Sequence, residues 1–156
     1  MFVKSMKKGA FVSILSVMTV AGATAAVSYA AEEAPEIPVT VLLSGVQSSD
    51  GPLYISVQNR DQYQGIKGYG EIIKRVTAGD MSAVVKIQKS GEYAVSVWHD
   101  LNDDGVFSMT QDYKILDGWG GSGTIPKGRA PKFDDVRVTI GGGGASIPVA
   151  LIYPSK

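Results

Sequence analysis

From residue 37 onward, apolar residues recur at every second position, the period of a strand with one buried face. In "IPVTVLL", Ile37, Val39, Val41 and Leu43 share a face. "PLYISVQN" repeats the pattern with Leu53, Ile55 and Val57, and "MSAVVKI" with Met81, Ala83, Val85 and Ile87. "GEYAVSVWH" turns Tyr93, Val95, Val97 and His99 inward and Ala94, Ser96 and Trp98 outward. "DDVRVTI" aligns Val136, Val138 and Ile140, and "SIPVALIY" aligns Ile147, Val149 and Leu151. Turn residues separate these runs at Ser48–Gly51, Lys89–Gly91 and Gly141–Gly144. The pattern predicts an all-β fold, an antiparallel β-sandwich of about seven strands. Pro148 cannot donate a ladder hydrogen bond, which predicts an edge strand there. "EIIKRV", within Tyr69–Val76, fits either a helical turn or a strand. From Asp100 to about Lys132 the alternation stops in favour of Gly, Asp and Pro. So long an irregular connection in a small domain is functional or mobile.

The first 30 residues follow another pattern. Lys4, Lys7 and Lys8 precede an uncharged stretch from Ala10 to Ala30, and Glu32, Glu33 and Glu36 follow. This order is that of a secretory signal peptide, with cleavage after Ala30 and the Ala-rich region just before it as a competing site. The expected address is periplasmic or secreted. The uncharged run is long enough for a retained anchor, but its second half is Ala, Gly, Ser and Thr, so no stable membrane insertion is expected after cleavage. Residues 31–36 read as a disordered linker and 37–156 as one sandwich domain. Subtracting Lys4, Lys7 and Lys8 from 15 basic residues leaves 12 against 15 acidic ones, a balance that argues against nucleic acid as partner. The chain has no cysteine, which excludes disulfides, thiol catalysis and thiolate zinc sites.

The irregular region opens with "WHDLNDDGVFS", Trp98–Ser108. Asp100, Asn102 and Asp104 alternate, Gly105 follows, and the carbonyl of Val106 comes next in line. This is the first half of an EF-hand loop, D-x-[DN]-x-[DN]-G, which suits the hard oxygen ligands of Ca2+. The second half is missing: Gln111 stands where a bidentate glutamate belongs, and a strand, not a helix, precedes Asp100. Ser108 and Asp112, or Asp117, would have to complete the shell. The alternative is an Asx-rich turn without metal. Asp100, Asp103 and Asp104 lie with no Lys or Arg between Asp100 and Ser108, and their mutual repulsion favours a cation.

No catalytic constellation accompanies the loop. His99 is the only histidine, and its neighbour Asp100 points to the opposite face of a strand, so the two form no direct relay. "GGSG" at Gly120–Gly123 lacks the strand-to-helix setting of a phosphate loop. The expectation is a protein that is not an enzyme.

Taken in order, "SGEYAVSVWHDLNDDGVFS", "DGWGGSG" (Asp117–Gly123) and "APKFDDVRVTI" (Ala130–Ile140) resemble DUF2141, a bacterial family of exported proteins of unknown function. The resemblance implies a small transthyretin-like sandwich. It singles out His99, Asp100, Asn102, Asp104 and Gly105, then Gly118, Trp119, Gly120 and Ser122, then Phe133 and Asp135. The family often carries aspartate at the position of Ser108. The resulting functional expectation is a module with a calcium-type loop of Asp100, Asn102, Asp104, Val106, Ser108 and Asp112. The competing expectation is a metal-free module that engages an envelope protein or glycan through a sheet edge or through Trp119. The tryptophan itself is expected to fold back and cap the sandwich, its flanking glycines permitting close packing. The basic residues Lys127, Arg129 and Lys132 read as a solvated loop.

Overall fold

The computed structural model describes residues 35–111 and 114–154. The predicted signal peptide, Asp112 and most of the linker lie outside the described residues. The described residues form eight strands: β1 (Ile37–Val46), β2 (Leu53–Gln58), β3 (Tyr69–Ile73), β4 (Gly79–Ile87), β5 (Gly91–His99), β6 (Gly118–Gly121), β7 (Arg137–Ile140) and β8 (Ala145–Ala150). One helical turn, α1 (Phe133–Val136), precedes β7.

The strands make two sheets, one ordered β4-β1-β8 and one ordered β3-β2-β5-β6, with β7 also on β5. Strand β5 presents its far edge to two partners end to end, β7 along Gly91–Ala94 and β6 along Ser96–His99. The inward positions are the apolar ones read from the sequence. Val39, Val41 and Leu43 of β1, Val85 and Ile87 of β4 and Val149 of β8 meet Leu53, Ile55 and Val57 of β2 and Val95 and Val97 of β5 in one core cluster. Strand β8 lies at a sheet edge, as Pro148 requires.

Three features differ from the sequence expectation. The pairing of β1 with β8 is parallel, so the sandwich is not wholly antiparallel. The run "DDVRVTI" is not one strand: Phe133–Val136 coil into α1 before β7 begins. Asp135 accepts from the backbone N–H of Lys132 at 2.7 Å, which satisfies one of the free donors at the start of that turn. The long connection is also not irregular throughout. It holds β6 and a bridge between Met109 and Ile115. The ambiguous "EIIKRV" begins as strand, within β3.

Candidate binding groove and the acidic loop beside it

Sheet register decides what the outer face of the larger sheet looks like. Ile72, Tyr54, Trp98 and Trp119 are successive Cα partners across β3, β2, β5 and β6, and Ile152 extends the row by bridging Trp119. Tyr54 and Trp98 stack with ring centroids 4.5 Å apart, and Phe107 meets Trp98 edge-on at 6.0 Å. Two residues along each strand lies the next outward row: Gly70, Ser56, Ser96 and Gly121. The row after that holds Gln58, Ala94 and Arg137. Neighbouring rows on one face are separated by two residues of strand, roughly 7 Å. A row almost without side chains, with the aromatic row on one side and Gln58, Arg137 and the residues covering Ala94 on the other, is a trough across the strands.

At the Ser96–Gly121 end the trough deepens into a cavity of about 810 Å³. Trp119 forms one wall, Phe107, Met109 and Ile115 of the long connection a second, and Ile125 and Tyr63 the far end. The tryptophan therefore does not cap the sandwich as expected. It sits on β6 with its side chain on the outer face, because Gly118 and Gly120 hold the inward positions. A Cβ at Gly118 would lie 2.3 Å from Tyr153 Cε1, and one at Gly120 would lie 2.6 Å from the Ala150 carbonyl. Close passage of the other sheet's last strand demands glycine there, and alternation then aims Trp119 outward.

The far end is a small core of its own. Ala94, outward on β5, is buried beneath Phe133 and Val136, with Tyr63 and Ile125 packed around them. Tyr63 meets the Phe133 ring edge-on at 5.7 Å. Asp135 holds Arg129 in a two-pronged ion pair at 2.7 and 2.8 Å. Those bonds, with the Lys132 N–H, hold the Asp135 carboxyl down at about 2. Ser122, fully buried, ties β5 and α1 together: it accepts from the Val95 N–H at 2.9 Å and donates to the Val136 carbonyl.

The acidic loop leads directly into Phe107 of the second wall. Asp100 is fully buried and accepts from the backbone N–H of Gly105 at 2.8 Å and of Asp104 at 3.3 Å. Asp104 accepts from the Val106 N–H at 2.8 Å and from the Asn102 amide at 2.7 Å. Asp103 and Gly105 take positive φ, 55° and 72°, which folds the chain tightly enough for these bonds. Ser108 donates its hydroxyl to the Val106 carbonyl at 3.2 Å. Asp117, also buried, accepts from the Ser108 N–H at 2.9 Å and from Trp98 Nε1 at 3.0 Å, so it fastens the loop to the aromatic row. Thus Asp100, Asn102 and Asp104 come together, while Ser108 and Asp117 are joined to each other a few residues on. The carboxylates of Asp100, Asp104 and Asp117 already meet N–H donors, and among the described residues no group of three or more His, Asp or Glu is arranged around a common point for an ion.

His99 belongs to the fold. Its ring bonds Tyr153 Oη at 2.6 Å through Nδ1 and the Asp50 carbonyl at 2.8 Å through Nε2. The carbonyl can only accept, so Nε2 carries the proton and Nδ1 accepts from the tyrosine.

The second half of β1, strands β2 to β7, the acidic loop and most of β8 lie within residues 41–148, the stretch matched by a family model described as "Uncharacterized protein conserved in bacteria (DUF2141)". The chain belongs to the DUF2141 family. Searches among curated proteins and among solved structures found no match. The positions singled out by the DUF2141 resemblance fall into two sets. His99, Asp100, Asn102, Asp104, Gly105, Gly118, Gly120 and Ser122 hold the strand ends and the loop in place, whereas Trp119 lines the groove and Phe133 and Asp135 brace the residues at its far end. The walls contributed by Tyr54, Tyr63, Phe107, Met109, Ile115 and Ile125 went unread in the sequence. Their signal was an aromatic at outward strand positions and a scatter of large apolar residues through a loop otherwise made of Gly, Asp and Pro.

Proposed function

We propose that this protein is an exported, non-enzymatic binding module whose ligand lies in the groove over Ser96 and Gly121, against Trp119. The observation that carries the reading is the in-register row of small residues beside the aromatic row, opening into a cavity within the volume range of small-molecule sites. The amino-terminal charge pattern supports export. Tryptophan fluorescence, which reports Trp119 and its row neighbour Trp98, is the direct test: a protein-free envelope extract should shift the emission, and the fraction that does so should no longer bind a Ser96→Leu variant, in which the floor is filled. Equal binding to wild type and Ser96→Leu would refute the groove.

A second reading rests on the acidic loop. The alternation of Asp100, Asn102 and Asp104 around a turn with positive φ at Asp103 and Gly105 supports a calcium site there, with Asp112 a further candidate ligand. Calcium would then set the position of Phe107 and so the width of the groove. Calorimetry on metal-stripped protein tests this; no heat and no thermal shift at millimolar calcium would refute it.

A further inference from the structure

The chemistry of the walls narrows what the groove takes. Among the described residues the one cation that lines it, Arg129, is matched by Asp135. Gln58 donates its amide N–H groups to the carbonyls of Gly65 and Lys67 at 2.9 and 2.7 Å, and Gln64 and Tyr63 both donate to the Pro131 carbonyl at 3.2 Å, which leaves the Ser96 hydroxyl as a lone polar group on the floor. A sugar brings a hydroxyl on nearly every carbon, and each one that loses water without gaining a partner costs free energy. An anionic ligand would find no unmatched positive charge among the described lining residues. What these residues offer instead is Trp119, Phe107, Met109, Ile115 and Ile125, with Met109 able to adjust its shape to a flexible guest. They stand over a floor with no side chain larger than serine at Ser96 and Gly121.

We propose that the groove holds a single acyl chain, bound by its methylenes and not by its headgroup. The proposal rests on the groove reading above and adds the ligand class. The chain can come from a free fatty acid or from a lipid, and the same groove serves both because it does not touch the head.

The test is titration of the purified protein, followed by tryptophan emission, with saturated fatty acids of 8 to 14 carbons kept below their micelle concentrations. Parallel arms use their methyl esters and the lysophospholipids of equal chain length. Affinity should rise about fourfold per methylene, the factor that follows from burying one CH₂, until the trough is full. The acid, ester and lysolipid of one length should agree within a few-fold. Filling the floor with Ser96→Leu should weaken binding at least tenfold. Met109→Glu, at a half-exposed loop position that leaves the sheets untouched, should do the same for the neutral ester and serves if Ser96→Leu does not fold.

Affinity independent of chain length would overturn the acyl proposal, as would a tenfold preference for one headgroup. If an oligosaccharide binds and is lost in Ser96→Leu while acyl chains do not bind, the groove stands and the acyl assignment falls. If acyl chains bind both variants as well as wild type, they bind elsewhere and the assignment falls as well.

Discussion

Replacing Asp100 by alanine separates the two roles assigned to the acidic loop. The carboxylate is fully buried and accepts two backbone N–H groups, one at 2.8 Å and one at a weaker 3.3 Å. A hydrogen bond to a charged group contributes about 1.5–3 kcal/mol when well formed, so the pair is worth about 2–4 kcal/mol in all. For a domain of this size that corresponds to a fall in Tm of roughly 8–15 °C. The assay is urea unfolding monitored by tryptophan fluorescence and circular dichroism, run in EDTA and again in millimolar calcium. In EDTA the full loss should appear, because the hydrogen bonds need no metal. In calcium, a site occupied at 100 times its dissociation constant adds about 2.7 kcal/mol to the wild type and nothing to the variant. If Asp100→Ala in EDTA stays within about 0.5 kcal/mol of wild type, a level typical of neutral surface changes, the turn is not held by this carboxylate and the structural account of the loop is wrong.

Other changes probe the remaining parts. Leu53→Ala, at a fully buried core position of β2, should cost about 3–5 kcal/mol in urea unfolding. His99→Gln should cost about 2–4 kcal/mol, since glutamine cannot reach both Tyr153 and the Asp50 carbonyl; an equally stable variant would remove the histidine from the structural set. Gly118→Ala should destabilise strongly and shift Trp119 emission, because the added carbon collides with the Tyr153 ring. Asp135 has a folded value lowered to about 2 against an ordinary value near 3.8. Its stabilisation is therefore complete above about pH 4 and is lost as pH falls toward 2, and Asp135→Asn should flatten that acid limb of the stability curve.

The sandwich was legible in the sequence because a period of two survives in every core strand: Val39, Val41 and Leu43, or Tyr93, Val95, Val97 and His99, can face inward only together. Partners were not legible. Nothing local to "SIPVALIY" says that it runs parallel to β1, since that choice is made by the path of the chain through the sheets. β6 escaped notice because Gly-Trp-Gly-Gly has little strand propensity; it pairs because glycine lets β8 and Tyr153 pass close behind. α1 was hidden by alternation in "DDVRVTI", which Phe133 and Val136 break by covering Ala94 on the outer face. At the site, Asp100 and its neighbours were found by spacing, but the groove depends on which residue of β5 lies opposite which residue of β6, and register is a tertiary fact.

The parallel pair has a consequence for how the chain reaches this state. β1 is the central strand of its sheet, and one of its two edges stays bare until Ala145–Ala150 arrive, more than a hundred residues later in the sequence. A contact at that separation closes a very long loop and is made late. Until then the Val39, Val41 and Leu43 strand has an open edge, a template for a neighbouring molecule as much as for its own carboxyl terminus. A ribosome-arrested chain ending before residue 145 should therefore remain protease-sensitive, and the whole sandwich should become resistant in one step when the last strand is released.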